Sequence, residues 1–248
     1  MKKIIALALI CMLALSGVAM AETLTMGTNV AFPPYEYYSD ETGEAVGIDI
    51  EIAKAICEKL GYEMELVDMD FSSIIPALAS GKIDFSMAGM TVTEERKQNV
   101  DFSNTYATGI QAIIVKEDSP ITCLDDLYVE GANYSIGVQE GTTGDIYCSD
   151  DFEANGTGTV KRYKNGADAT LALTSGQVDC VIIDNEPAKN YVAANEGLKL
   201  LDTSYAVEDY AIALAKDSPL TEQFNTALQE LIDDGTVAAI IEKYIPTT

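Results

Sequence analysis

The sequence predicts an α/β protein of two similar lobes joined by two crossing strands. Three observations carry this. Short apolar runs alternate with segments of helical periodicity along most of the 248 residues, which argues for a mainly parallel sheet flanked by helices. One plan then occurs twice. Ser80-Gly81-Lys82-Ile83-Asp84-Phe85 resembles Ser175-Gly176-Gln177-Val178-Asp179-Cys180, and Met26-Gly27-Thr28-Asn29 resembles Ile136-Gly137-Val138-Gln139. Finally, apolar extended runs at 110–116 and 209–216 stand where the chain would leave the first copy and return to it. Two such crossings make a hinge.

The chain opens Met1-Lys2-Lys3, continues through an apolar run to Leu15 and reaches Ala19-Met20-Ala21. A basic start, a short apolar core and a small-x-small end describe a secretory signal, so residues 1–21 are expected to be cleaved in export to the periplasm or its extracytoplasmic equivalent. Cys11 is mid-run and reads as apolar filler, so no lipid anchor is expected. In the mature chain, 24–28 reads as a strand, 47–60 as a helix with Ile48, Ile52 and Ile56 on one face, and 64–67 as a strand. A helix is expected over 72–79, a strand over 83–88 and a further helix from Glu94 to Asn99. The first lobe is placed at 22–105 and 211–248, the second at 111–205, with hinges near 106–110 and 206–210. The closing helical segment, 220–244, should break at Asp233-Asp234-Gly235.

Removing Lys2 and Lys3 leaves 13 basic against 40 acidic residues, a net charge near −27. Such a surface repels nucleic acid and anionic membrane. The chain has no histidine, which removes His-based triads and most transition-metal chemistry. No cofactor and no metal site are expected. Cys57 falls in an apolar helix stripe and Cys180 in an apolar strand, where thiols pack as small hydrophobes. Export would permit a bond between Cys123 and Cys148.

In open α/β sheets, ligands bind beyond the carboxyl ends of the strands. The segments there are 29–35, 89–96, 139–144 and Asp184. Arg96 can grip a carboxylate through two parallel hydrogen bonds, although position alone leaves open a solvated arginine. Thr91 and Thr93 can cap a helix or meet a ligand. The segment Gly89-Met90-Thr91 adds backbone groups at the same strand end, so Met90 is a candidate with Gly89. Thr142 and Thr143 precede an expected helix, whose N-terminus attracts anions. Asp184 ends an apolar strand, suiting an ammonium or facing water. Phe32, Tyr35 and Phe71 can sandwich an apolar stem. Asn29 and Gln139, at equivalent places in the two copies, are neutral and polar. They point to a ligand whose own side chain is neutral and polar.

At these residues the chain resembles the family 3 extracellular solute-binding proteins, the polar amino acid receptors of bacterial ABC importers. The resemblance lies in Gly47-Ile48-Asp49-Ile50-Glu51-Ile52, in Met69-Asp70-Phe71, in Ser80-Gly81-Lys82-Ile83-Asp84, in Ala88-Gly89-Met90-Thr91-Val92-Thr93-Glu94-Glu95-Arg96 and in Asp101-Phe102-Ser103. It implies a two-lobed, type II periplasmic-binding-protein fold and a monomer that hands its ligand to a membrane permease. It implies Arg96, Gly89 and Thr91 on the α-carboxylate of a free amino acid, helped by Thr142 or Thr143. Asp184 would take the α-ammonium, with Phe32 and Phe71 flanking the side chain. Asn29 stands where receptors for basic amino acids and glutamine often carry Asp, and Gln139 where glutamine receptors can carry Lys. The fold also hosts cyclohexadienyl dehydratases, the competing reading. Such an enzyme needs a general acid at the leaving group, and here Asp184 is committed to an ammonium.

Overall fold

Residues 21–202 and 204–246 are described in the computed structural model, so most of the expected export signal, residues 1–20, lies outside the described residues. Strand β1 (Thr23–Thr28) leads into a small antiparallel sheet of β2 (Ala31–Phe32), β3 (Glu36–Tyr38) and β4 (Ala45–Val46). Helix α1 (Ile48–Leu60) follows, then β5 (Glu63–Asp68), α2 (Ile74–Ala79), β6 (Phe85–Ser86) and the long β7 (Val100–Lys116). The second lobe runs β8 (Tyr134–Gln139), α3 (Thr143–Cys148), β9 (Gly158–Tyr163), α4 (Gly166–Thr174), β10 (Cys180–Asp184), α5 (Asn185–Ala194) and β11 (Leu198–Leu200). The chain then returns through β12 (Val207–Ala215) to α6 (Leu220–Asp233) and α7 (Thr236–Tyr244).

The strand order β5-β1-β6-β12-β7-β10-β8-β9 divides at β7. Its first part pairs antiparallel with β12, as far as Ile110 opposite Val207. From Gln111 onward it pairs with β10, and β11 lies along its other edge. β7 and β12 are thus two adjacent strands that cross between the lobes.

Local chemistry explains the elements that place the cleft. Helix α1 buries Ile48, Ile52 and Ile56 completely, each worth about 1.5–3 kcal/mol over an exposed position. It begins at Gly47, whose φ is 131°. A Cβ there would lie 2.1 Å from the Tyr35 carbonyl oxygen, so only glycine lets this turn close on the β2–β3 hairpin. Glycine at 235, with φ 85°, separates α6 from α7 where the break was expected. The repeated motif has a shared purpose. The Asp84 carboxylate accepts from Thr25 N at 2.7 Å, and Asp179 accepts from Ser135 N at 2.7 Å. Each aspartate also donates its own N–H to the same residue's carbonyl, at 2.9 Å and 2.8 Å. In each lobe the motif clamps a strand entry to the start of the neighbouring strand.

Three expectations change. The strand over 83–88 shrinks to Phe85–Ser86, since only these residues align with both β1 and β12. The helix over 94–99 is a single 3-10 turn, Arg96–Gln98, entered when Thr93 Oγ1 accepts from Arg96 N at 3.1 Å. The chain must enter β7 at Val100, which leaves no length for a helix. The start of the 72–79 helix is likewise a 3-10 turn, Phe71–Ser73, ahead of α2. Cys123 and Cys148 are both free thiols. Cys148 is buried in the second-lobe core beside Phe152 and Cys180, and burial raises its pKa.

Candidate functional site

A narrow cleft lies between the lobes. The first lobe contributes Asn29 and Phe32 after β1, Glu36 from β3, Phe71 from its 3-10 turn, and Ala88, Gly89, Thr91 and Arg96 from the segment after β6. The second contributes Gln139 at the end of β8, Thr142 and Thr143 at the start of α3, and Asp184 at the end of β10. Met90, between two lining residues, points the other way. It is fully buried in the core with Ile74, Leu78 and Val100. Extended backbone alternates its side chains, so Thr91 can face the cleft only if Met90 turns inward.

Arg96 is 6% exposed and its guanidinium lies 5.4 Å from the centroid of the Phe71 ring. Nη1 donates to Thr91 O at 2.7 Å and Nη2 to Gly141 O, across the cleft, at 3.0 Å. Burial pulls its pKa down, while Glu208 and Asp184 hold it up. A guanidinium has five N–H bonds, so further donors remain for an anion.

Asp184 faces it from the second lobe. Burial, then the neighbouring Glu208, pushes its carboxyl up to about 7, against hydrogen bonds from Tyr210 and Gln111. Tyr210 Oη donates to Asp184 Oδ1. Room for that contact comes from Gly109 on β7, where a Cβ would lie 2.0 Å from the tyrosine oxygen.

The equivalent amides meet across the cleft. Gln139 Nε2 donates to Asn29 Oδ1 at 3.0 Å, while Asn29 Nδ2 donates to Met69 O at 3.0 Å. Thr91 and Thr143 also meet, Oγ1 to Oγ1, at 3.4 Å. Thr142 is the N-cap of α3, accepting from Asp145 N at 3.3 Å. Tyr191 Oη donates to Ala31 O at 2.6 Å, a further bond between lobes.

Sequence reasoning missed the acids behind the cleft. Glu36 is buried, and so are Asp49 and Glu208. Glu208 accepts from Thr91 Oγ1 at 3.1 Å and from Gln111 Nε2 at 2.9 Å. Asp49 accepts from Gly89 N at 2.8 Å. Among the described residues Arg96 is the only buried base. An acid between tyrosines, or in a first helical turn, reads as solvent-facing, and nothing local in the sequence marks it otherwise.

The sequence profile of the bacterial extracellular solute-binding proteins, family 3, matches residues 24–247. The arginine-binding extracellular protein ArtP of Bacillus subtilis (strain 168) is 38% identical over 224 residues, covering 89% of this chain and 85% of its own. A solved structure described as an ancestral arginine-binding protein bound to glutamine superposes with a TM-score of 0.84 at 43% identity, covering 92% of this chain and 100% of its own. A second, described as an ancestral arginine-binding protein bound to arginine, gives a TM-score of 0.84 at 42% identity, over 91% of this chain and 99% of its own. These relatives are named for binding and not for catalysis, and they share the two-lobed type II architecture. The chain therefore belongs to the family 3 bacterial extracellular solute-binding proteins and is a binding protein, not an enzyme.

Proposed function

We propose that this chain is the extracytoplasmic receptor of an ABC importer and carries a free L-amino acid with a cationic side chain, L-arginine foremost. Arg96, with Thr91 and the start of α3, grips the α-carboxylate, and Asp184 takes the α-ammonium. Phe32 and Phe71 flank the side chain. Because each lobe holds part of the ligand, binding favours the closed form and shifts the population there. The closed, monomeric receptor then meets the membrane permease.

The observation that carries the cationic reading is Glu36. Its side chain lines the cleft, yet it is 1% exposed and its Oε2 accepts no hydrogen bond from the protein. A buried carboxylate needs a cation or a proton. With Asp184, Glu208 and Asp49 also buried against Arg96 alone, a ligand of net charge +1 balances the site better than a neutral zwitterion. The names of the relatives support the same choice.

A neutral polar side chain is the second reading. The mutual Asn29–Gln139 hydrogen bond favours it, since either amide can turn to a ligand amide. The two readings separate in a melting and calorimetric panel of arginine, lysine, ornithine, histidine, glutamine and citrulline, the last an uncharged isostere of arginine. Arginine should stabilise most, by about 4 kcal/mol at a thousandfold excess over Kd. Glutamine or citrulline matching arginine would return the assignment to neutral side chains. No shift with any amino acid would overturn the receptor reading.

A further inference from the structure

Below the cleft lies a carboxyl pair that no base neutralises. Glu36 on β3 and Asp49 in the first turn of α1 are 1% and 0% exposed; Asp49 N donates to the carbonyl of Tyr35, the residue before Glu36, at 2.9 Å, and the charge of Asp49 raises the Glu36 carboxyl. Asp49 Oδ2 is already occupied, accepting from Gly89 N at 2.8 Å and from Tyr106 Oη at 2.7 Å. Asp49 Oδ1 and Glu36 Oε2 are buried without a hydrogen-bond partner, and the Thr28 hydroxyl beside Glu36 lowers its pKa by less than burial and Asp49 raise it. Two bare carboxylates cannot share a hydrogen bond, and their like charges repel. One proton between them satisfies both. The titratable groups that face the pair are Tyr35 from the β2–β3 turn, Tyr106 from β7, Tyr191 from α5 and Asp184 from β10. All of these lose a proton to become anions or already are anions, so none supplies positive charge. Burial raises both carboxyls, and Asp49 further raises Glu36.

We propose that Glu36 and Asp49 share one proton in the ligand-free protein, and that a cationic side chain entering the cleft drives that proton into solution. The bridging O–H bond breaks, its electron pair stays on the carboxylate, and a buffer base takes the proton. The incoming cation replaces the lost positive charge, so the buried charge of the site is unchanged by the exchange. A neutral side chain gives no such exchange. Asp184 can also release a proton when it meets an α-ammonium, but it does so for every amino acid and cancels between ligands. The inference rests on the assignment of the side-chain end of the cleft to Glu36.

The test is calorimetric titration of the full chain with arginine and with citrulline, each in two buffers of different ionisation enthalpy near neutral pH. Arginine should release about one proton more than citrulline, by linkage. The arginine-to-citrulline affinity ratio should rise roughly tenfold per pH unit while the pair holds its proton. In Glu36→Gln, whose amide supplies the hydrogen permanently, the difference in proton release should vanish. Tight arginine binding with no more proton release than citrulline overturns this inference alone. Failure of arginine to bind where glutamine does overturns both it and the cationic reading. Persistence of the difference in a folded Glu36→Gln protein would also refute it.

Discussion

Replacing Arg96 by alanine removes the only buried base among the described residues and tests the zwitterion grip directly. The side chain is almost fully buried, stacks on Phe71 and keeps donors beyond those given to Thr91 O and Gly141 O. A ligand carboxylate there would be a desolvated, charge-assisted partner. Truncating one side of such a pair costs about 2–5 kcal/mol, which weakens Kd between roughly 30-fold and several thousandfold. The bond from Nη2 to Gly141 O is lost as well, and it is one of those that hold the two lobes together. Arg96→Ala should therefore lose affinity by both routes. Arg96→Lys keeps the charge but not the fork and should fall between the two. Isothermal calorimetry with arginine reads the change, with a melting curve to show that each variant is folded. A folded Arg96→Ala protein whose Kd stays within about threefold of the parent, against the tenfold step that 1.4 kcal/mol represents, would refute the assigned role.

Two further outcomes follow from the buried acids and the repeated clamp. Asp184 is pushed up to about 7 and Asp49 to about 6, in each case first by burial. A carboxyl whose pKa is higher folded than unfolded binds more protons in the folded state, so its contribution is greatest near pH 4 and declines as pH rises towards 7. The loss reaches about 1.4 kcal/mol per pH unit for each such group. Denaturant titration of the ligand-free protein should show that decline, and Asp184→Asn should flatten it; an unchanged slope would count against the raised value. Tyr210→Phe, which removes a donor to Asp184 Oδ1, should move that group's transition to higher pH. In the clamps, Asp84→Ala should cost about 1–2 kcal/mol of stability and Asp179→Ala less, because Asp84 is half-buried and Asp179 exposed. Chemical denaturation of the pair checks the order.

What could be read from the sequence was whatever repeats or alternates. The paired Ser-Gly-x-x-Asp segments announced two copies of one plan because each must solve the same problem, an aspartate clamping a strand entry. The segments beyond the strand ends gave most of the cleft lining, since that position follows from topology alone. Elements whose length depends on a partner were misread. Residues 83–88 look like a full strand, but the register with β1 and β12 admits two residues. Met90 reads as a cleft residue with its neighbours because a run of residues has no visible facing until its strand direction is known. Glu36 and Glu208 were missed for another reason. Their burial is decided by segments far away in the chain, α1 and β7, and charged residues are almost never fully buried by default.

Those missed acids tie the cleft to the crossing strands. Gln111 and Gly109 lie on β7, Glu208 and Tyr210 on β12, and all four touch residues that line the cleft. Tyr210 bonds Asp184, and Gly109 leaves room for it. Glu208 bonds both Thr91 in the first lobe and Gln111 on the other crossing strand. A change in the angle between the lobes must therefore stretch or release bonds to the residues proposed to hold the ammonium and the carboxylate. On the proposed site assignment, binding energy spent on Asp184 and Thr91 would reach β7 and β12 without any intervening element. If β7 and β12 are the hinge, a receptor built this way would need no separate relay, because the crossing strands carry the groups that back the proposed ligand site.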